Sequence, residues 1–359
     1  MNREEVLRLP PYSLAQPAKE RVLAPLLDEL TAHHRARCPA YDRVVSVVHA
    51  RTGPSRRLAD VPYLPASLFK SHELRSIPKE QVFKTLTSSG TSGQAVSHVY
   101  LDREAARAQT LALASIMTHF LGPARLPMLL VDSRAVIGDR ARFSARGAGL
   151  LGMMNFGREH FYALDGRMEL DEPGLRRFLD RFGGQPFLVF GFTFMVWQYL
   201  AQPVRGRGLD FSNGILIHSG GWKKLAEMEV SSDRFKAGLR EAMGLSRSHN
   251  FYGMVEQTGS VFMEGEDGRL HPPSFADVIV RDPVTWAEQP VGEPGVIQVL
   301  SILPTSYPGH SILTEDVGVV HAIDEPAARM PGKAFSVIGR VPKAELRGCS
   351  DTHAAEAAS

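Results

Sequence analysis

The run Thr87-Ser88-Ser89-Gly90-Thr91-Ser92-Gly93 crowds hydroxyl side chains before and between two glycines, with nothing larger than threonine among them. Glycine lets the backbone turn through positive φ, so such a run can aim several N–H groups and hydroxyls at one point. That is the chemistry of a phosphate-binding loop. The ending lacks the Gly-Lys-Ser/Thr of a P-loop ATPase, and a strand-like run, Ser97-His98-Val99-Tyr100-Leu101, follows where that loop would open a helix. A flexible Ser/Gly linker would share the composition. However, strand-forming residues flank the run on both sides, Gln81-Val82-Phe83 before it and His98-Val99-Tyr100 after it.

Three other stretches carry groups suited to ligands. Asp132-Ser133-Arg134 is the first. In the second, His218-Ser219-Gly220-Gly221-Trp222-Lys223-Lys224, two glycines let a ligand lie on the backbone, and Lys223 or Lys224 can reach an anion. The third, Asn250-Phe251-Tyr252-Gly253-Met254-Val255-Glu256-Gln257, ends in a carboxylate of the kind that holds magnesium. The two cysteines, Cys38 and Cys349, are too few for a disulfide framework and lack metal-ligand spacing. Cys38 reads as a small, semi-buried apolar residue.

The surrounding pattern says what must position these groups. Buried-strand runs at Pro127-Met128-Leu129-Leu130-Val131, Pro186-Phe187-Leu188-Val189-Phe190 and Gly214-Ile215-Leu216-Ile217-His218 are separated by helical segments around 172–182, 193–202 and 223–243. Strand alternating with helix predicts an α/β fold with parallel sheets flanked by helices, in which ligands bind beyond the strands' carboxyl ends. Phe190-Gly191-Phe192-Thr193-Phe194 and Trp197 can line an apolar tunnel or simply fill a strand-to-helix junction.

Upstream, Leu23, Leu26, Leu27 and Leu30 mark a packing helix, and Lys70-Ser71-His72 lies in a proline-punctuated covering segment. Asp102-Arg103-Glu104 opens a helix through Leu111, Ile116 and Phe120 that Gly122-Pro123 ends. Past residue 260 short strands and turns take over. Glu266-Asp267-Gly268 reads as a hairpin turn, and Val296-Ile297-Gln298-Val299-Leu300, Ile312 to Gly318 and Val337 to Arg340 read as strands. The expected organisation is an α/β core over 1–260, a small β-rich subdomain over 261–340 and a tail over 341–359.

Lys+Arg 41 against Asp+Glu 39 leaves a net charge of +2, which gives no reason to invoke nucleic acid or an anionic membrane surface. Neither a signal-peptide core nor an apolar run long enough to span a bilayer is present, so a cytoplasmic protein without membrane insertion is expected.

The order of the pieces resembles the adenylate-forming enzymes that activate carboxylic acids with ATP. Ser88-Ser89-Gly90-Thr91-Ser92-Gly93 is similar to their phosphate loop, Tyr252-Gly253 to Glu256 to their Tyr-Gly-x-x-Glu segment, Asp316 to their ribose-binding aspartate and Gly339-Arg340 to their hinge-side arginine. Within that superfamily the chain resembles the LuxE acyl-protein synthetases of bacterial bioluminescence. The marks are Leu68-Phe69-Lys70-Ser71-His72-Glu73-Leu74, the loop itself, His218-Ser219-Gly220-Gly221-Trp222-Lys223-Lys224 and Leu346-Arg347-Gly348-Cys349-Ser350, from about residue 60 to 350.

The resemblance implies ATP and Mg2+ as cofactors and a carboxylic acid, a fatty acid by the family, as substrate. It implies Cys349 as the acyl-accepting thiol and a separate NADPH-dependent, LuxC-like acyl reductase as partner. Ser88 to Gly93 would cradle phosphates, His218, Gly220, Gly221, Tyr252 and Gly253 would line the nucleotide site, and Asp316 would fix the ribose. Glu256 with Thr91 would hold magnesium. Two departures accompany it. The usual lysine after the loop is replaced by Gln94-Ala95-Val96-Ser97, which leaves Lys223 or Arg340 to supply that charge, and most of the mobile C-terminal domain of an acyl-CoA ligase is expected to be missing. Loading of CoA or a carrier protein, or an inactive scaffold role beside a reductase, are the competing expectations.

Overall fold

In the computed structural model, residues 1–49, 53, 55–88, 95–137, 145–220, 228 and 230–341 are described. The chain folds as two compact units, one formed by Met1–Ile116 with Tyr252–Glu345 and the other centred on Met117–Phe251. The first unit is discontinuous in sequence, so the compact units cut the chain differently from a linear division at residues 260 and 340.

The first unit begins with the long helix Gln16–Arg37, whose Leu23, Leu26, Leu27 and Leu30 are buried as their spacing predicts, followed by the helix Pro39–Val48. Cys38 between them is buried and unpaired. Strand β1 (Leu64–Pro65) is followed by β2 (Lys84–Thr87) and β3 (His98–Leu101), which pair antiparallel from Lys84↔Leu101 to Thr87↔His98. Gln81 instead closes a short 3₁₀ turn, Lys79–Gln81, so the strand before the loop starts later than its β-formers suggest. The hairpin is the neck of the predicted phosphate loop. The helix Arg103–Leu121 starts where Asp102 Oδ1 accepts from Ala105 N at 2.7 Å and stops at Gly122, which has φ +82°.

In the second unit β4 (Leu126–Ser133), β5 (Gly157–Leu164), β6 (Phe187–Phe192), β7 (Gly214–Ser219) and β8 (Arg247–Tyr252) form a wholly parallel sheet in the order β5-β4-β6-β7-β8. β4 and β6 are buried almost throughout, as strands covered on both faces must be. The helix Glu172–Phe182 begins at Asp171, whose carboxylate accepts from Gly174 N at 3.0 Å, and turns Leu175, Phe178 and Phe182 inward. Thr193–Val204 is helical with a π turn over Val196–Ala201. Within the predicted span 223–243, of which 223–227 and 229 lie outside the described residues, a helix runs from Ser232 to Met243, and the Ser231 hydroxyl caps it by accepting from Arg234 N at 3.2 Å.

Gly191 in β6 shows how tightly this sheet is covered. A Cβ there would come within 2.8 Å of both Val131 Cβ and Val196 Cγ2. Gly191→Ala is expected to cost about 1–3 kcal/mol, the usual range for overpacking. A chemical-denaturation series reads this as a lower midpoint at unchanged slope, and an unshifted midpoint would contradict it.

The chain returns to the first unit with β9 (Phe262–Glu264), β10 (Leu270–His271), β11 (Ala276–Arg281), β12 (Pro294–Ser301), β13 (Ser311–Ile323) and β14 (Lys333–Arg340). β9 and β10 pair about the predicted turn at Glu266-Asp267-Gly268, where Gly268 has φ +75°. Neighbours in the order β11-β12-β13-β14-β10-β9 are antiparallel, and β1 adds to β13 in parallel. No helix among the described residues is long and apolar enough to cross a membrane.

Candidate functional site

In the first unit the carboxylate of Asp316 gathers two other residues that the sequence singles out. Tyr252 Oη donates to Asp316 Oδ2 at 2.6 Å, and Arg340 Nε donates to Oδ1 at 3.1 Å. Arg340 is Asp316's cross-strand partner on β14. The aim of Asp316 comes from a bulge. Val296 pairs with Val317 and Gln298 with Leu313, so Thr314, Glu315 and Asp316 together stand opposite Ile297 alone. Thr314 Oγ1 fastens this excursion, donating to Ile297 O at 2.8 Å and accepting from Asp316 N at 3.1 Å.

Tyr252 reaches the carboxylate with its ring stacked on Phe262, centroids 6.1 Å apart, and edge-on to Phe335 at 6.4 Å. Burial first, and then the neighbouring Asp316 charge, push its phenol well above the ordinary range, so Tyr252 stays a hydrogen-bond donor. With one side-chain bond on each oxygen among the described residues, Asp316 keeps acceptor capacity on both. The pair is partly open, with side-chain exposures of 17% for Asp316 and 32% for Arg340, so solvent-borne hydroxyls can reach it.

Glu256 lies in the 3₁₀ turn Val255–Gln257 and is 3% exposed. Burial raises its carboxyl above the usual range, opposed by the nearby Ser97 hydroxyl and Lys70. Ser97 is also the neck of the loop, because Ser88 N donates to Ser97 O at 3.1 Å and Ser97 N donates to Ser88 Oγ at 2.9 Å. Gly253, just after β8, approaches Val261 so closely that a Cβ would stand 3.1 Å from Val261 Cγ1.

In the second unit His218, at the carboxyl end of β7, is fully buried and pairs Nδ1 with Thr193 Oγ1 at 2.9 Å. Its ring lies 5.0 Å from that of Phe235, and burial pushes its pKa down to about 3, so it is neutral. Gly220, which follows β7, has φ +117°, a conformation open to glycine. At the end of β4, Asp132 is buried in an ion pair with Arg146 at 3.2 Å. Phe190, Phe192 and Trp197 are buried, with Trp197 tilted on Phe235 at 5.9 Å.

A family model described as acyl-protein synthetase, LuxE, matches residues 3–357. The chain belongs to the LuxE family. The long-chain-fatty-acid–luciferin-component ligase of Aliivibrio fischeri is 24% identical over 301 residues, 81% of this chain and 77% of that one. Its counterpart in Vibrio harveyi is 25% identical over 304 residues, 82% and 77% of the two chains. Among solved structures, 2-hydroxyisobutyryl-CoA ligase in an open conformation with 2-HIB-AMP and CoA matches with a TM-score of 0.65 at 19% identity, covering 94% of this chain and 81% of that one. The same ligase in its thioesterification state matches with a TM-score of 0.67 at 18% identity, over 93% and 70%. This LuxE chain therefore has the adenylate-forming ligase fold and is an acid–thiol ligase.

Of the residues expected in the LuxE site, Ser89, Gly90, Thr91, Ser92, Gly93, Gly221, Lys223 and Cys349 lie outside the described residues, as does Lys224. Among those described, Tyr252, Asp316 and Arg340 come together, while Ser88 and Glu256 share Ser97 as a neighbour. The sequence reading missed Thr314 and Ser97. The one stands two residues before the aspartate and the other closes the loop, but only register shows what either hydroxyl touches.

Among the described residues, no group of three or more His, Cys, Asp and Glu side chains is placed to hold a metal. Magnesium asks for less, since it is held by one or two carboxylates together with substrate phosphates and waters. A buried carboxylate beside a hydroxyl is a hard oxygen donor set, and it fits that ion.

Proposed function

We propose that this LuxE-family ligase activates a fatty acid with ATP as the acyl adenylate and passes the acyl group to its own Cys349 for delivery to an acyl reductase. The observation that carries the nucleotide half is the Asp316 carboxylate, held by Tyr252 and Arg340 with acceptor capacity left over. Paired vicinal hydroxyls, as on a ribose, suit such an acceptor.

The chemistry explains why these residue types are needed. A carboxylate resists attack because oxide would have to leave. Its oxygen attacks the α-phosphorus of ATP, pyrophosphate departs, and AMP then becomes the leaving group. Catalysis is mostly positioning and charge stabilisation. Ser88 to Gly93 cradle phosphates, His218, Gly220, Gly221, Tyr252 and Gly253 shape the nucleotide site, and Glu256 with Thr91 holds magnesium, which neutralises phosphate charge when bound. Lys223, or Arg340, supplies the cation that Gln94-Ala95-Val96-Ser97 does not. The Cys349 thiolate then attacks the acyl carbonyl, AMP leaves and a thioester remains, with Arg347 two residues away favouring the thiolate.

Intact-protein mass spectrometry tests this after incubation with ATP, Mg2+ and a panel of fatty and aromatic acids, comparing the native chain with Cys349→Ala. The expected result is an ATP-dependent acyl mass from fatty acids that Cys349→Ala abolishes while acid-dependent pyrophosphate exchange continues. An adduct that survives the substitution would place the acyl group elsewhere. Exchange without any adduct would point to CoA or a carrier as acceptor.

A further inference from the structure

Around Glu256 and its neighbour Tyr307 stand buried side chains with hydrogen-bonding capacity to spare. Ser97, Gln109 and Tyr307 are all buried, at 0%, 4% and 0% exposure. Among the described residues, none of Ser97 Oγ, Gln109 Nε2 and Tyr307 Oη has an aligned hydrogen-bond partner. Each can donate, and a buried donor left unpaired costs about 1–3 kcal/mol. Ser97 lies close enough to stabilise the charged Glu256, Tyr307 close enough to feel its charge, and Gln109 beside Tyr307.

Two glycines make this close packing possible. At Gly309 a Cβ would stand 2.6 Å from Glu256 O and would also strike the Tyr307 ring, and at Gly259, with φ +90°, it would stand 2.8 Å from Gln109 Cα. Gln257 Nε2 donates to Gly309 O at 2.9 Å and locks the turn that bears Glu256 to the turn that bears Tyr307. The close approaches therefore pack the helix Arg103–Leu121 against the turn at Gly259 and the segment carrying Tyr307 against the backbone carbonyl of Glu256.

We infer that Ser97 and Tyr307, the latter steadied by Gln109, are positioning residues that orient the Glu256 carboxylate and thereby set the site's affinity for a divalent cation. The inference rests on the assignment of Glu256 to magnesium. An ionised carboxylate has about four lone-pair sites, enough for donors behind it and a metal in front. Outer partners that orient a metal-binding ligand typically change metal affinity or activity 10–100-fold.

The test is calorimetric binding of a non-hydrolysable ATP analogue to the full chain, once with Mg2+ and once with EDTA. The ratio of the two affinities isolates the metal's contribution. Tyr307→Phe is expected to lower that ratio about tenfold and leave the EDTA affinity unchanged, and Glu256→Gln to abolish the metal dependence. Ser97→Ala and Gln109→Leu carry the same expectation as Tyr307→Phe and replace it should it fail to fold. A merely structural role would lower both affinities together and keep the ratio, which overturns the inference while the magnesium assignment stands. If Glu256→Gln keeps the wild-type ratio, the assignment and the inference fall together.

Discussion

Asp316→Asn is expected to lower ATP–pyrophosphate exchange about 100-fold, chiefly by weakening ATP binding, and to leave the fold intact. Asparagine keeps the shape and still offers Tyr252 one acceptor. Its amide nitrogen, however, would either face the Arg340 guanidinium, donor against donor, or lose the bond to Tyr252. Hydrogen bonds to a charged acceptor are worth about 1.5–3 kcal/mol, and losing one or two at a ribose corresponds to this range. The Asp316–Arg340 pair is partly solvent-exposed, so its loss should cost the folded state less than about 1 kcal/mol. Exchange rates across a range of ATP concentrations, with a thermal melt as control, check both statements. Exchange within threefold of the native chain would remove Asp316 from the nucleotide site.

Acid should unfold the first unit through a pair of buried histidines, His34 and His310, whose rings stack 5.0 Å apart. Thr31 Oγ1 spends its proton on Leu27 O at 2.8 Å, so at 3.0 Å from His310 Nε2 it can only accept. Tyr41 Oη also stands 3.3 Å from Nε2, while Nδ1 has no partner among the described residues. Protonation would place an unpaired cationic N–H in a dry site beside a second histidine. Burial accordingly pushes His310 down to about 3 from an ordinary value of 6.5, and holds His34 well below its ordinary value.

Between those two values the unfolded chain binds a proton at His310 that the folded chain does not. Stability is fully present above pH 6.5 and falls as the pH drops towards 3, by up to about 5 kcal/mol from His310. Urea unfolding at pH 7, 5.5 and 4.5 should show this decline, and His310→Gln should reduce its slope by about 1.4 kcal/mol per pH unit. An unchanged slope would mean that this ring is already charged in the folded protein.

Much of this architecture is written locally. Leu23, Leu26, Leu27 and Leu30 announce a buried helical face, and the apolar runs at 127–131, 186–190 and 214–218 become β4, β6 and β7. Such patterns survive in sequence because hydrophobic period and burial are properties of neighbours along the chain. Boundaries that depend on a single cap or turn are less legible, as the start at Ser232 and the 3₁₀ turn at Lys79–Gln81 illustrate.

Residue order alone specifies the alternation of strand and helix, the glycines and hydroxyls of the loop, and the succession of Tyr252, Glu256, Asp316 and Arg340, which suffices to recognise the family. Three further features belong to the folded chain. The middle of the chain separates residues 1–116 from the strands they join, the bulge opposite Ile297 turns Asp316 towards Tyr252 and Arg340, and Gly259 and Gly309 pack closely on Gln109 and on Tyr307 with the Glu256 carbonyl. The physical reason is common to all three. Register, bulges and close backbone approach are relations between segments far apart in the chain, and the packing of the whole sets them, whereas residue type and period act within a few residues.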